Sequence, residues 1–286
     1  MDNNLLSGLE GLGLGNLKDL NLYESENKSD REAKKNVTIA VPEAKEEDMV
    51  FDKTFTCPVC DEQFKAKMVR TGKAKAMLSD QDLRPRYEGI DVLKYDILSC
   101  PVCGYSGISK NFPYLTPSQK KAIKENICES FIAKPDDPQK KIYTYEDAIE
   151  RHKLALVNTI VKHGKASEKA FICLKTAWLF RGQGEKLDIT LATYDAKKED
   201  CDKAEAEFLR NAYDGFIQAR TSESFPIAGM DEMTLDYLLA ALALRFEEYD
   251  TASRLVSGIL TSRSANARIK DKARDLKDIL AERKKG

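Results

Sequence analysis

Cys57-Pro58-Val59-Cys60 and Cys100-Pro101-Val102-Cys103-Gly104 are near copies of each other, separated by 39 residues. A C-x-x-C turn places two thiolates on one rubredoxin-like knuckle. Two knuckles facing each other supply four sulfurs at about 2.3 Å from a common centre, the closed tetrahedral set that zinc prefers. Proline after the first cysteine stiffens each turn. Gly104 follows the last ligand, where a left-handed backbone lets amides point at sulfur. Asp61 holds the matching place in the first knuckle, a conformation aspartate tolerates better than most residues. The metal ligands read from this pattern are Cys57, Cys60, Cys100 and Cys103, around one zinc ion. Four thiolates leave no open position for water, so the ion is expected to be structural and not catalytic. A thioredoxin-type centre needs a βαβ context and a single pair. An iron–sulfur cluster could use four cysteines, but the duplicated CPVC spacing is that of zinc ribbons.

Outward from the knuckles, residues 50–112 read as a small β module, a four-cysteine zinc-ribbon domain. Phe64, Ala66 and Met68 alternate with Gln63, Lys65 and Lys67, the period of a half-buried strand. Leu93, Tyr95 and Ile97 do the same just before the second pair. Lys65, Lys67, Arg70, Lys73 and Lys75 form a basic run with no acid among residues 63–79. Such a run could contact phosphates, although interleaved aromatics for base stacking are missing. Asp80, Asp82, Asp91 and Asp96 follow at a spacing that matches no carboxylate site.

From residue 116 the pattern turns helical, and 116–286 reads as a helical domain. Thr116-Pro117-Ser118-Gln119 is a start signal, with threonine as N-cap, proline at the first helical position and glutamine closing a capping box. Ile123, Ile127 and Phe131 follow at helical spacing. A second helix is predicted from Thr144, with Asp147 in its first turn, to Gly164. A third runs from about 167 to 182 with Phe171, Leu174 and Trp178 on one face. Further helices are expected at about 196–220, 232–247, 251–262 and 266–284. Tyr237-Leu238-Leu239-Ala240 through Phe246-Glu247-Glu248-Tyr249-Asp250-Thr251-Ala252 resembles a tetratricopeptide helix–turn–helix, where small residues such as Ala252 let paired helices approach. The expected fold is mostly α with a small β zinc-ribbon module, followed by a C-terminal tetratricopeptide-like helical repeat domain.

FTCPVCDEQFKAKMVRTGKAK (55–75) and SDQDLRPRYEGIDVLKYDILSCPVCGYSG (79–107) together resemble an uncharacterised bacterial family, domain of unknown function 2225. The resemblance extends over about residues 50 to 280 and is most specific over 54–107. It implies a bacterial cytoplasmic protein in which a cysteine-pair domain precedes tetratricopeptide-like helices. It implies no activity.

Residues 1–48 read as a flexible acidic leader. Residues 1–49 carry a net charge of −5 within a chain whose total is −1. Leucines stud the first 22 residues, but Gly8, Gly11, Gly13 and Gly15 each cost a helix about 1 kcal/mol. The segment is expected to be captured by a helical groove, its own or a partner's. No stretch approaches the roughly 20 apolar residues that span a bilayer, and no secretion signal is evident, so a cytoplasmic location is expected. Seven cysteines, two pairs of them closely spaced, favour metal ligation over disulfides in that setting. His152 and His163 are read as helix-surface or C-terminal residues. Cys128, Cys173 and Cys201 are read as small buried hydrophobes, and Trp178 as a core anchor. No Ser-His-Asp order, Walker loop or H-E-x-x-H occurs, so no catalytic or cofactor-binding residue is assigned. These readings together suggest a non-enzymatic protein-interaction scaffold or adaptor. A nucleic-acid-contacting regulator using the run 65–75 comes second and an enzyme with an unrecognised site third.

Overall fold

The computed structural model describes residues 45–133 and 139–283. The leucine-rich leader and its expected docking lie outside the described residues.

Two short antiparallel hairpins come first. Strands β1 (Val50–Thr56) and β2 (Gln63–Val69) pair with Phe55 opposite Phe64 and Lys53 opposite Ala66. Strands β3 (Ile97–Ser99) and β4 (Ser106–Ile108) pair with Leu98 opposite Gly107. Phe64 and Ala66 point inward while Gln63 and Lys65 face solvent, as alternation on β2 requires. The alternation that starts at Leu93 makes a strand only from Ile97 onward. Val92–Tyr95 is a 3-10 turn, because the Asp91 carboxylate accepts from the Leu93 amide and bends the chain locally.

Seven helices follow: α1 (Pro117–Ile123), α2 (Tyr145–Val161), α3 (Ala166–Glu185), α4 (Tyr194–Ser222), α5 (Glu232–Arg245), α6 (Tyr249–Thr261) and α7 (Ala267–Arg283). The predicted capping box forms at Thr116, and the expected Thr144 cap is closed into a second one by Asp147. Thr116 and Gln119 exchange hydrogen bonds at the start of α1, and Thr144 and Asp147 do so at the start of α2. Helix α1 is shorter than its apolar spacing suggests, because the chain widens into a π-helical turn at Lys124–Cys128. Phe131 therefore lies beyond the helix, where its ring sits over Gly104. At the end of α2 the left-handed residue is His163 (φ 54°), one before the expected Gly164. Gly164 is still required: a Cβ there would lie 2.6 Å from Thr159 Cγ2.

Helix α3 is central. Ile172, Leu174, Ala177 and Leu179 are all buried, and no single face is left for water. Such a helix is wrapped by neighbours and not laid on a surface. Helices α2 to α7 pack in chain order, each against the next. Leu209, Tyr213 and Phe216 of α4 and Leu235 to Ala243 of α5 complete the main core. The segment between the hairpins joins it: Leu93 is buried within this core and Leu83 packs against it. Ile97 and Ile108 of the second hairpin share a further cluster with Ala155 and Ile172. The described residues thus form one compact unit, with the hairpins and helices sharing apolar surface. Among the described residues, no helix is long and apolar enough to cross a membrane.

His152 departs from the surface position expected of it and is wholly buried in α2. Its Nδ1 lies 2.7 Å from the Ala148 carbonyl oxygen, so Nδ1 carries the proton and donates it. Nε2 is buried without a partner among the described residues. Burial pushes the imidazole down to about 4, against the weaker opposing effect of the Ala148 carbonyl. The unfolded chain then binds a proton near pH 6.5 that the folded chain refuses until about pH 4, so stability is lost as pH falls through that window. Acidification from about pH 6.5 to about 5 should cost roughly 2 kcal/mol from this residue. Urea unfolding of His152→Phe should show a correspondingly shallower fall than the native protein over the same range. Parallel pH dependences for the two proteins would contradict this account of His152.

Candidate metal centre

Each C-x-x-C pair occupies the turn of one hairpin. Cys57 to Cys60 join β1 to β2, and Cys100 to Cys103 join β3 to β4. The two turns are built alike. The Cys57 amide donates to the Glu62 carbonyl (2.9 Å) and the Asp61 amide to the Cys57 carbonyl (2.9 Å). In the second turn the Cys100 amide donates to the Tyr105 carbonyl (2.8 Å) and the Gly104 amide to the Cys100 carbonyl (3.1 Å). Asp61 (φ 63°) and Gly104 (φ 75°) are both left-handed, as the position after each second cysteine requires. Glycine is needed at 104 for a second reason: a Cβ there would meet the Phe131 ring at 2.5 Å.

The four sulfurs all lie within 4.8 Å of one another. Cys57 Sγ is 3.6 Å from Cys103 Sγ, and Cys60 Sγ is 3.6 Å from Cys100 Sγ. A disulfide would need a separation of about 2.05 Å. Sulfurs at about 2.3 Å around one tetrahedral ion sit about 3.8 Å apart, close to the separations here. Cys57 and Cys100 are wholly buried and Cys103 nearly so, under Phe64, Tyr105, Phe112 and Ile123. The Val59 amide points at Cys57 Sγ (3.5 Å), and Asn158 Nδ2 holds the Gly104 carbonyl (3.0 Å) from α2.

Proton chemistry in this shell fits a cation. Hydrogen bonds from Cys103 and Cys57 pull the Cys100 thiol well below its ordinary range. The hydrogen bond with Cys100 pushes Cys57 up to about 12, and hydrogen bonds with Cys100 and Cys57 raise Cys103 as well. One thiolate is thus tolerated and a second is opposed by the first. Four can coexist only if a positive ion neutralises them. The cluster is consistent with one metal ion such as zinc.

The other residues singled out in the sequence fall elsewhere. Asp80, Asp82, Asp91 and Asp96 do not converge on a common carboxylate site, and each has a cationic partner. Arg181 pairs with Asp82 (2.6 Å), Asp80 (3.0 Å) and Glu205 (2.9 Å). Arg86 meets Asp80 and Glu185, each at 2.7 Å. The buried Arg84 reaches Glu185 and Asp91, each at 3.2 Å, and Lys175 pairs with Asp96. Trp178 donates its indole N–H to Asp82 (2.9 Å), so the core anchor is also a polar one. Sequence reasoning missed this hub. Its partners stand about a hundred residues apart, and only the R-P-R beside D-x-D could have hinted at it.

In the basic run, Lys67 pairs with Asp52 (3.0 Å) and Lys75 with Glu88 (3.0 Å). Arg70 donates to the Val50 carbonyl (3.1 Å) and lies over the Phe51 ring. Cys173 and Cys201 are buried, and burial pushes Cys173 up to about 11. Cys128, on the π-helical turn, packs half-buried against the sulfur cluster. His163 is exposed just past α2.

Elemental analysis of protein purified under reducing conditions should return about one divalent ion per chain, as a closed four-sulfur site requires. Cys57→Ser and Cys103→Ser should each bring that to near zero and lower the thermal midpoint. Full metal content in either variant would contradict the site.

Searches of curated proteins and of solved structures return no match. The family model described as an uncharacterised protein conserved in bacteria (DUF2225) matches residues 50–280, a span that takes in both cysteine pairs and all the helices described above save the last turn of α7. The chain belongs to that family.

Proposed function

We propose that the chain is a non-enzymatic, cytoplasmic interaction scaffold, in which a structural zinc ion holds the hairpins and the helical region binds a protein partner. The observation that carries this reading is the closed donor set. All four ligand positions of a tetrahedral ion are met by cysteine sulfur, which leaves none for substrate or water. Thiolate softness favours zinc over magnesium or calcium. The acidic side chains of 80–96 are committed to arginine and lysine and are poor candidates for acid–base work.

A tetratricopeptide-like reading of the helices draws support from the α5–α6 hairpin. Three residues, Phe246 to Glu248, join two helices, with Glu247 left-handed (φ 61°) and Ala252 buried between them. Packing in chain order is also how helical repeats build extended binding surfaces. A cleft of about 810 Å³ lies among α3, α4, α5 and α7, with Leu242, Phe246 and Ile279 on its walls.

The nucleic-acid alternative has less behind it. Three of the five cations in the run have partners within the same unit, as described above, which leaves Lys65 and Lys73 to face phosphate. Gel retardation with a single strand of about 20 nucleotides and a duplex should therefore show no shift, even at low salt. A shift that weakens steeply with salt and disappears in Lys65→Glu/Lys73→Glu would overturn this ordering.

A further inference from the structure

A groove of about 380 Å³ runs between the first turn of α7, the start of α5 and the turn made by residues 76–87. That turn is held by a bridge between Ala76 and Tyr87 and by the Met77 amide donating to the Arg86 carbonyl (2.8 Å). Its apolar wall is formed by Met77, Leu83 and Ile269. Leu83 is held left-handed (φ 69°) on that wall, an uncommon conformation for a leucine.

The charge in the groove has one sign. Arg86, Arg268 and Lys272 line it, and no carboxylate does. Arg86 is already matched by Asp80 and Glu185. Arg268 and Lys272 form no ion pair among the described residues; the Lys272 ammonium lies 5.9 Å from the Tyr237 ring centre. Both sit in the first two turns of α7, whose opening turn contains no acid. A helix N-terminus is the positive end of its dipole, so cations there add repulsion where acids are normally favoured. An incoming anion would relieve both. Ser79 also lines the groove, and its Oγ is buried with no hydrogen-bond partner among the described residues. Next to it, Met77 is 61% exposed and Leu78 is 93% exposed, apolar surface that folding has left in water.

We propose that this groove receives an acidic, apolar peptide segment of a partner protein, with a leucine-like side chain against Met77, Leu83 and Ile269 and a carboxylate toward Arg268 and Lys272. The assignment rests on the scaffold reading and gives its partner a chemistry. Charge complementarity of this kind sets orientation and on-rate, while the apolar contact supplies most of the affinity.

A displayed library of random peptides about 12 residues long, selected on the intact metal-loaded chain, tests it. Enriched peptides should combine Asp or Glu with Leu, Ile or Phe. Their affinity should fall roughly tenfold or more for Arg268→Glu/Lys272→Glu, changes that should not lower the thermal midpoint, because acids are favoured in the first turns of a helix. Met77→Ser should weaken the same peptides. Peptides that enrich without acidic bias, or that bind the double variant equally well, would overturn the groove while leaving the scaffold reading intact. No enrichment at all would overturn both. A single strand of about 20 nucleotides that binds the native chain but not the double variant would reassign the groove to phosphate. A concentration-dependent dimer that the double variant abolishes would reassign it to a second copy of the chain.

Discussion

Four sulfurs from two distant turns must meet around one point, and the rest of this structure is arranged by that requirement. The turns are each preformed by the same pair of backbone hydrogen bonds and the same left-handed residue, at Asp61 and Gly104. Two-stranded hairpins with strands of seven and three residues are marginal in water by themselves. Crowded thiols resist ionising together, so without a cation the cluster opposes its own assembly. With one, the cost reverses, and both ends of the segment from Asp61 to Ser99 are pinned. The pinned segment is what reaches the helices, placing Leu83 and Leu93 on the helical core and Asp82 beneath Trp178.

The charged contacts along that segment are better understood as specificity than as a store of stability. Burying an arginine such as Arg84 is expensive, and an ion pair in such a place often does little more than offset the desolvation. What it does is forbid alternatives. Arg84 has Gly182 beneath it, where a Cβ would come within 2.7 Å of its guanidinium, so the seating of the segment has to satisfy sterics as well as charge. Removing one partner would leave the others buried and unmatched, which is why an acid-rich stretch in a cleft can be structural throughout.

The parts of this architecture that were legible in the sequence are those set by short-range chemistry. Cys57, Cys60, Cys100 and Cys103 announce themselves by spacing. Thr116 with Gln119 and Thr144 with Asp147 are recognisable because a capping box closes within four residues. The long helices are legible because their apolar faces repeat. Illegible were features decided by particular side-chain contacts that no repeating pattern records. Leu93, Tyr95 and Ile97 alternate like one strand, but the Asp91 side chain accepts from the Leu93 amide and coils Val92–Tyr95, so the strand begins only at Ile97. His152 looks like a surface residue in α2, yet its helix packs on both the second hairpin and α3. The Arg181 hub depends on Asp80, Asp82 and Glu205 meeting in space, and no local pattern records it. The basic run reads as a stripe in sequence, whereas Asp52 and Glu88 answer two of its lysines in space.

The sulfur centre, through the segment it pins, holds the cover over α3, and one side chain reports on that coupling directly. Trp178 is the chain's only tryptophan and its indole is bonded to Asp82 of that segment. Metal would be removed by a chelator under reducing conditions while tryptophan emission and metal content are followed together. Emission should shift to the red in step with metal loss and return when a divalent ion such as zinc is added back. A metal-free chain whose Trp178 emission remains native would contradict the coupling.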